Sequence, residues 1–380
     1  MPSDFDSRLR ALAGVVVRIG LNLQPDQPLL ITDPYDLQGV HPEALTQAEM
    51  IRQEGGTDTT ILRADPAHLR ALVEADDLRG YEALVADHTR RLHRHLARGG
   101  AFLFLTGSAP RLLSGLPAGR LARFDSVKWR HLGPVIQSLV RGASQWTLLP
   151  APAPDWAVAA GLDLPGLWST VFAALRVDAG NPLAEWKLHL AAIAWQRDAL
   201  NAARHRRLRY TGPGTSLTLD LPTSHRWCTT QLTSNRGVPY VANLPTEEIF
   251  TAPHRNSATG TVRVARPVAY GGTVISGIEL EFRAGRVVRA RADAGEDLLH
   301  RLLATDAGAA RLGETALVPG KDRLAWAARG HHHILLDENA AHHVALGDAY
   351  RFCSRAWLPL ALNSSQLHLD LPLDAEVSFS

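Results

Sequence analysis

The sequence predicts an α/β plus α+β fold, with an N-terminal open α/β sheet domain followed by a β-rich domain. Three observations carry this. Up to about residue 180, short β-rich runs alternate with helical segments, the pattern of an open sheet with parallel pairs. From about 205 onward, apolar and polar residues alternate with period two, the signature of half-buried antiparallel strands. Between them, Leu183 to Arg207 carries Trp186, Leu190, Ile193, Ala194 and Leu200 on one helical stripe. The division is therefore expected at 1–182 and 183–380, with the second part built on antiparallel strands and a few inserted helices.

Element by element, Leu29-Leu30-Ile31-Thr32 reads as the first strand, followed by a helix from Pro42 to Glu54. Thr59 to Leu62 is a second strand, stopped by Asp65-Pro66, and a long helical stretch runs from Asp76 to Ala97. Ala101 to Leu105 and Trp146 to Leu149 supply the third and fourth strands, the last closed by the proline-rich Pro150 to Pro154. In the second part, Leu217-Thr218-Leu219, Gly260 to Val264, Val274 to Phe282 and Val287 to Arg291 alternate, and Ala284-Gly285 is a hairpin turn.

The composition narrows the functional classes. At 380 residues, 46% apolar and 21% charged, the chain can bury a large core, and its net charge of +2 gives no reason to expect nucleic acid. Lysine is nearly absent (Lys128, Lys187 and Lys321), which reads as compositional bias toward arginine. Cys228 and Cys353 are far apart and show no CxxC spacing, so free, buried thiols in a reducing cytoplasm are expected. No run of about 18 apolar residues suggests a membrane span, and the acid-bearing N-terminus is not expected to be a cleaved signal. The glycines Gly99, Gly100, Gly107 and Gly115 fit neither GxGxxG nor GxxxxGK[ST], and no GxSxG occurs, so nucleotide-binding and serine-hydrolase readings lack support.

The chemistry-bearing residues collect in the last third. His343 and Tyr350 are seven apart; on a helix that spacing turns through about 700°, so imidazole and phenol would share a face. His368 and Asp370 are two apart, and on a strand they share a face while Leu367 and Leu369 pack on the other. Nitrogen and oxygen donors of this kind suit Zn, Co or Mn. Two carboxylate segments join them: Glu247-Glu248 after a strand, and Glu314 in Leu312-Gly313-Glu314, read as a glycine helix stop leading into an apolar strand. Each residue alone has an ordinary alternative: a hydrogen-bonded core histidine, a solvated turn for Glu247-Glu248, a strand-edge charge for Glu314.

Tyr210 to Thr215, Asn243 to Pro253, Leu312-Gly313-Glu314, Asp337 to Tyr350 and Asn363 to Asp370 resemble, in order, the aminopeptidase T and aminopeptidase S family of two-metal thermophilic metallopeptidases. The resemblance implies Glu248, Glu314, His343, Tyr350, His368 and Asp370 as metal ligands, with Glu314 favoured as the bridge. It implies hydrolysis of the N-terminal residue of short peptides through a bridging hydroxide on two divalent ions, Zn first, with Co, Mn or Mg as alternatives. Glu247 is a candidate general base, and Tyr350 a candidate oxyanion donor as well as a ligand. Asn339 and Asp337 are expected to orient the His343 imidazole, with an N-cap as the plain alternative for Asp337. A cytoplasmic homodimer is expected, the α/β part serving for dimerisation and as a cleft wall.

Two departures from the family accompany the resemblance. His342 stands where the family has a smaller residue, and His331-His332-His333 where relatives have other types; the three are read as an exposed or loop-lining cluster, with a stray metal site as the alternative. Relatives also continue past the His-x-Asp strand, whereas this sequence ends ten residues after Asp370, an expectation of a more open site. The competing reading is a non-catalytic metal-binding scaffold that keeps the peptidase fold.

Overall fold

The computed structural model describes residues 4–56, 58–270, 273–319, 330–358 and 360–380. It divides into two compact units, Met1–Leu190 with Thr230–Pro245, and Ala191–Thr229 with Thr246–Ser380. A single cut after residue 182 does not anticipate the excursion of 230–245, which rejoins the first unit: Leu148 donates its N–H to Ala242 O at 2.8 Å and accepts one from Leu244 at 3.0 Å.

The first unit is a parallel four-stranded sheet in the order Thr59–Ile61, Leu29–Thr32, Ala101–Thr106, Trp146–Pro150. Leu29–Thr32 and Ala101–Thr106 are buried at every position, which is why they read as continuous apolar runs and not as alternation. Two helices of this unit start where the sequence supplies a side-chain acceptor, in the first case followed by a proline. Asp65 accepts the N–H of His68 ahead of Pro66–Glu74, and Asp77 accepts that of Gly80 at the head of Leu78–Ala97. The expected helix over 183–207 is Pro182–Ala203, with Trp186 and Ile193 buried.

The second unit contains two larger antiparallel sheets, beside the two-stranded pair Val268–Tyr270 and Thr273–Ile275. One has six strands, in the order Arg286–Arg291, Glu279–Arg283, Thr259–Arg263, Thr215–Asp220, Arg207–Gly212, Glu376–Phe379. The other has four, in the order His368–Pro372, His343–Gly347, Leu312–Leu317, Ile249–Thr251. Leu208, Leu217 and Leu219 from the first share a core with Val344, Leu346 and Leu369 from the second. The hairpin at Ala284-Gly285 is as expected: both residues have positive φ (47° and 79°) between the paired Arg283 and Arg286, a two-residue turn with left-handed centres.

Three local expectations are corrected. Val274 to Phe282 is two strands, Thr273–Ile275 and Glu279–Arg283, because Gly277 takes φ 63° and breaks the alternation. Gly313 does not stop a helix. It lies inside Leu312–Leu317, where the pairing with His343–Gly347 shifts register, and a Cβ there would stand 2.1 Å from Asp348 O. The third concerns His343 and Tyr350: no helix carries them. His343–Gly347 is a strand buried at every position, and Tyr350 follows its end, heading the single helical turn Arg351–Cys353. A seven-residue spacing satisfies two helical turns, but an apolar run covered on both faces is also what an inner strand looks like.

Candidate metal centre

Register explains how separate segments meet. Opposite residues in a sheet share a face, and residues two apart along a strand share it too. Glu314 pairs with Ala345, and Ala345 with Asp370, so two carboxylates flank a methyl group in one row across three strands. The next row is Phe250, Ala316, His343 and Pro372, while His368 pairs with Gly347 on the other side. Glu248 lies two residues before Phe250. The opposite face, with Ile249, Leu317, Val344, Leu346, Leu369 and Leu371, packs into the core.

The polar atoms converge. His343 Nε2 lies 3.4 Å from Glu248 Oε2 and 3.5 Å from Glu314 Oε1. His368 Nε2 lies 3.9 Å from Glu314 Oε2 and 3.4 Å from Asp370 Oδ1. Two ligand groups therefore form, Glu248–Glu314–His343 and Glu314–His368–Asp370, each with its donor atoms within 4.8 Å of one another. Glu314 belongs to both. Each imidazole turns its other nitrogen to a backbone carbonyl: His343 Nδ1 to Ala341 O at 3.3 Å, His368 Nδ1 to Asp348 O at 3.1 Å. With Nδ1 donating, a neutral ring aims its Nε2 lone pair at the carboxylates.

Lone pair facing carboxylate is repulsive unless a cation or a proton stands between them. His343 Nε2 is fully buried and makes no hydrogen bond, and Glu248, Glu314 and Asp370 are at most 7% exposed. The carboxylates favour the protonated form of each ring. Burial lowers the His343 pKa, but Glu248 and Glu314 outweigh it and raise the value well above the usual one. His368 behaves alike: burial lowers it and Asp370 lifts it to about 10. Burial pushes Asp370 up, but His368 and His343 hold it below the usual range. Glu248 is raised, chiefly by burial.

Of the six candidate ligands, the structure brings Glu248, Glu314, His343, His368 and Asp370 together. Tyr350 stands at their edge, its ring 5.4 Å from that of His368 and stacked at 5.1 Å on Phe352. Burial, then Glu314 and Asp370, raises its phenol well above the ordinary value. Glu247 is 2% exposed, which removes the solvated-turn alternative. Asn339 is engaged by other groups: its Oδ1 accepts the Glu247 N–H at 2.6 Å and its Nδ2 donates to Leu335 O at 2.7 Å. Asp337 likewise serves elsewhere, accepting the N–H groups of His331 at 2.6 Å and His333 at 3.1 Å. His331 and His333 are buried, so of the exposed and loop-lining alternatives the exposed one is removed.

Sequence reasoning missed Glu338. It ends the short helix Ile334–Glu338, is 8% exposed, and is raised well above the ordinary glutamate pKa by burial and then by Glu248 and Asp370. Its charge is thus felt by the same cluster. The available signal was a glutamate directly after Ile334-Leu335-Leu336-Asp337, on a segment otherwise headed into the core.

The family description "Thermophilic metalloprotease (M29)" matches residues 5–377. The chain belongs to that family. It is 35% identical to aminopeptidase T of Thermus thermophilus over 98% of its own length and 93% of that protein's. It is 33% identical to aminopeptidase 2 of Geobacillus stearothermophilus, over 91% and 84%. The solved structure of wild-type AmpT from Thermus thermophilus superposes with a TM-score of 0.89 at 33% identity, covering 99% of this chain and 95% of that one. As a metalloprotease the chain is an enzyme that uses divalent metal, and its mixed parallel and antiparallel fold is that of the solved relative.

Proposed function

We propose that this protein is a metal-dependent aminopeptidase that removes the N-terminal residue of short peptides with two divalent ions, Zn first among Zn, Co, Mn and Mg. The carrying observation is the place of Glu314, with one oxygen toward His343 and the other toward His368. A carboxylate shared by two ligand groups is the arrangement of a bridge. Charge supports metal at the site: Glu248, Glu314, Glu338 and Asp370 are buried carboxylates, which divalent cations would offset while both imidazoles stay neutral.

On this reading Glu248, Glu314, His343, His368 and Asp370 would hold the metal, and the nearby Glu338 would add its charge to the site. When bound, the ions supply Lewis acidity for the scissile carbonyl and lower the pKa of water toward neutrality. The chain's own groups do the rest. Backbone carbonyls fix both imidazole tautomers. Tyr350, held protonated, presents an O–H to charge developing on the carbonyl oxygen. Glu247 is the proposed proton acceptor. A cytoplasmic homodimer, formed through the α/β unit, belongs to the same proposal and rests on the resemblance.

The test is metal stoichiometry on protein purified without chelators, paired with turnover of aminoacyl-p-nitroanilides across Zn, Co, Mn and Mg. Two ions per chain with turnover of free-amine substrates, and none of N-acetylated ones, is the expected result. Bound metal with no turnover at any pH would favour the scaffold reading.

A further inference from the structure

The chain has two cysteines, 125 positions apart in sequence (228 and 353), and the fold brings them together on the metal-site face of the four-stranded sheet. Both are free and buried. They share one apolar cluster with Phe250, Ala316, Tyr350 and Phe352. The backbone holds them there: Arg226 donates to Cys353 O at 2.8 Å, and Cys228 exchanges two N–H···O bonds with Phe250, at 2.8 and 3.0 Å. Cys228 Sγ also approaches Phe352 O at 3.6 Å.

That position couples the thiols to the aromatic wall of the site. Cys353 follows Phe352 directly, and Phe352 stacks on Tyr350 with planes 16° apart. Phe250 touches both rings, at 5.8 and 6.1 Å. Tyr350 in turn leans on His368. Any shortening of the distance between the two sulfurs pulls on the Arg351–Cys353 turn, and Tyr350 heads that turn.

We propose that Cys228 and Cys353 form a reversible dithiol–disulfide pair that sets the position of Tyr350, so that a peroxide oxidant slows the enzyme and a thiol reductant restores it. The chemistry balances. The Cys228 sulfur takes one oxygen from hydrogen peroxide, giving a sulfenic acid and one water. The Cys353 sulfur then attacks it; the S–S bond forms, the S–O bond breaks, and the second water leaves with the remaining protons. Two thiols lose two electrons and peroxide gains them.

The consequence for turnover rests on the peptidase reading, whereas the bond itself does not, so the two are measured separately. Metal-loaded protein is treated with hydrogen peroxide, then denatured, titrated for thiols and digested without reductant. Expected are loss of both thiols, a linked peptide pair containing residues 228 and 353 that is lighter by two hydrogens, and a fall in turnover of about 10²-fold, the cost of moving a positioned group by about 1 Å. Dithiothreitol should reverse both changes. Cys228→Ser and Cys353→Ala should each keep the untreated turnover and lose the reversible response. Survival of both thiols, or their separate conversion to sulfinic acids with no linked peptide, overturns the pair. A linked peptide with unchanged turnover overturns its hold on Tyr350.

Discussion

Asn339 and Glu247 are joined by a 2.6 Å hydrogen bond from the Glu247 N–H to the amide oxygen, although 92 positions separate them. The same amide donates to Leu335 O, so one fully buried side chain ties the glutamate turn to the short helix that ends in Glu338. The two segments that carry Glu248 and Glu338 are thereby fixed to each other. Asn339→Ala should leave the Glu247 N–H without that acceptor, costing about 1–3 kcal/mol of stability and about 10–100-fold in metal affinity. Thermal unfolding of the apo form and a metal titration check the two effects; unchanged metal affinity would show that Asn339 only stabilises.

Removing a ligand is expected to be more severe. His343→Ala and Asp370→Ala should abolish hydrolysis and lower metal content while circular dichroism still reports the folded chain. Retained turnover of an aminoacyl-p-nitroanilide by His343→Ala would rule out the assignment.

Glu338→Gln keeps shape and removes charge. With one of four carboxylates neutralised, the site should favour two ions less, and the bound stoichiometry should fall below two at limiting metal. Mass spectrometry under native conditions reads this directly. Two tightly held ions in the variant would place Glu338 outside the shell.

Tyr350→Phe separates its two possible roles. As an oxyanion donor its loss should reduce kcat about 10²–10³-fold with metal content unchanged. As a ligand its loss should lower metal content as well. Measuring both quantities on one preparation decides.

Metal uptake should release protons. Without metal, Asp370 lifts the His368 pKa to about 10 against the lowering by burial, so at neutral pH the ring holds a proton that a metal-bound ring cannot keep. Apparent affinity should therefore rise with pH up to that value, and calorimetry in buffers of different ionisation enthalpy should show the release. The sign for apo stability is opposite. A folded pKa raised above the ordinary 6.5 means the His368–Asp370 contact contributes fully below about 6.5 and is lost as pH climbs through about 10. Asp370, held low, contributes above its ordinary 3.8 and is lost as pH falls through its lower folded value.

Much of the architecture was legible in the residues. The parallel strands of the first unit, the Ala284-Gly285 hairpin and the shared face of His368 and Asp370 follow from period, turn chemistry and apolar run length. His343 and Tyr350 stand on a strand and at the turn after it, not on the helix that their spacing suggests. Val344, Ala345 and Leu346 are buried on both faces, and such a run has no alternation to separate strand from helix. Glu338 and the true partners of Asn339 and Asp337 were not legible, because their roles depend on contacts with chain far away.

The sequence by itself determined which donor types this protein offers and the local spacing of His368 and Asp370, since period two acts through neighbouring residues. Only the tertiary structure decided that Glu314 stands between both imidazoles and that two distant cysteines meet behind Tyr350. The reason is register. Which face a strand turns to its neighbour is settled by pairing across the sheet, and here a bulge at Gly313, where no Cβ fits, sets Glu314 opposite Ala345.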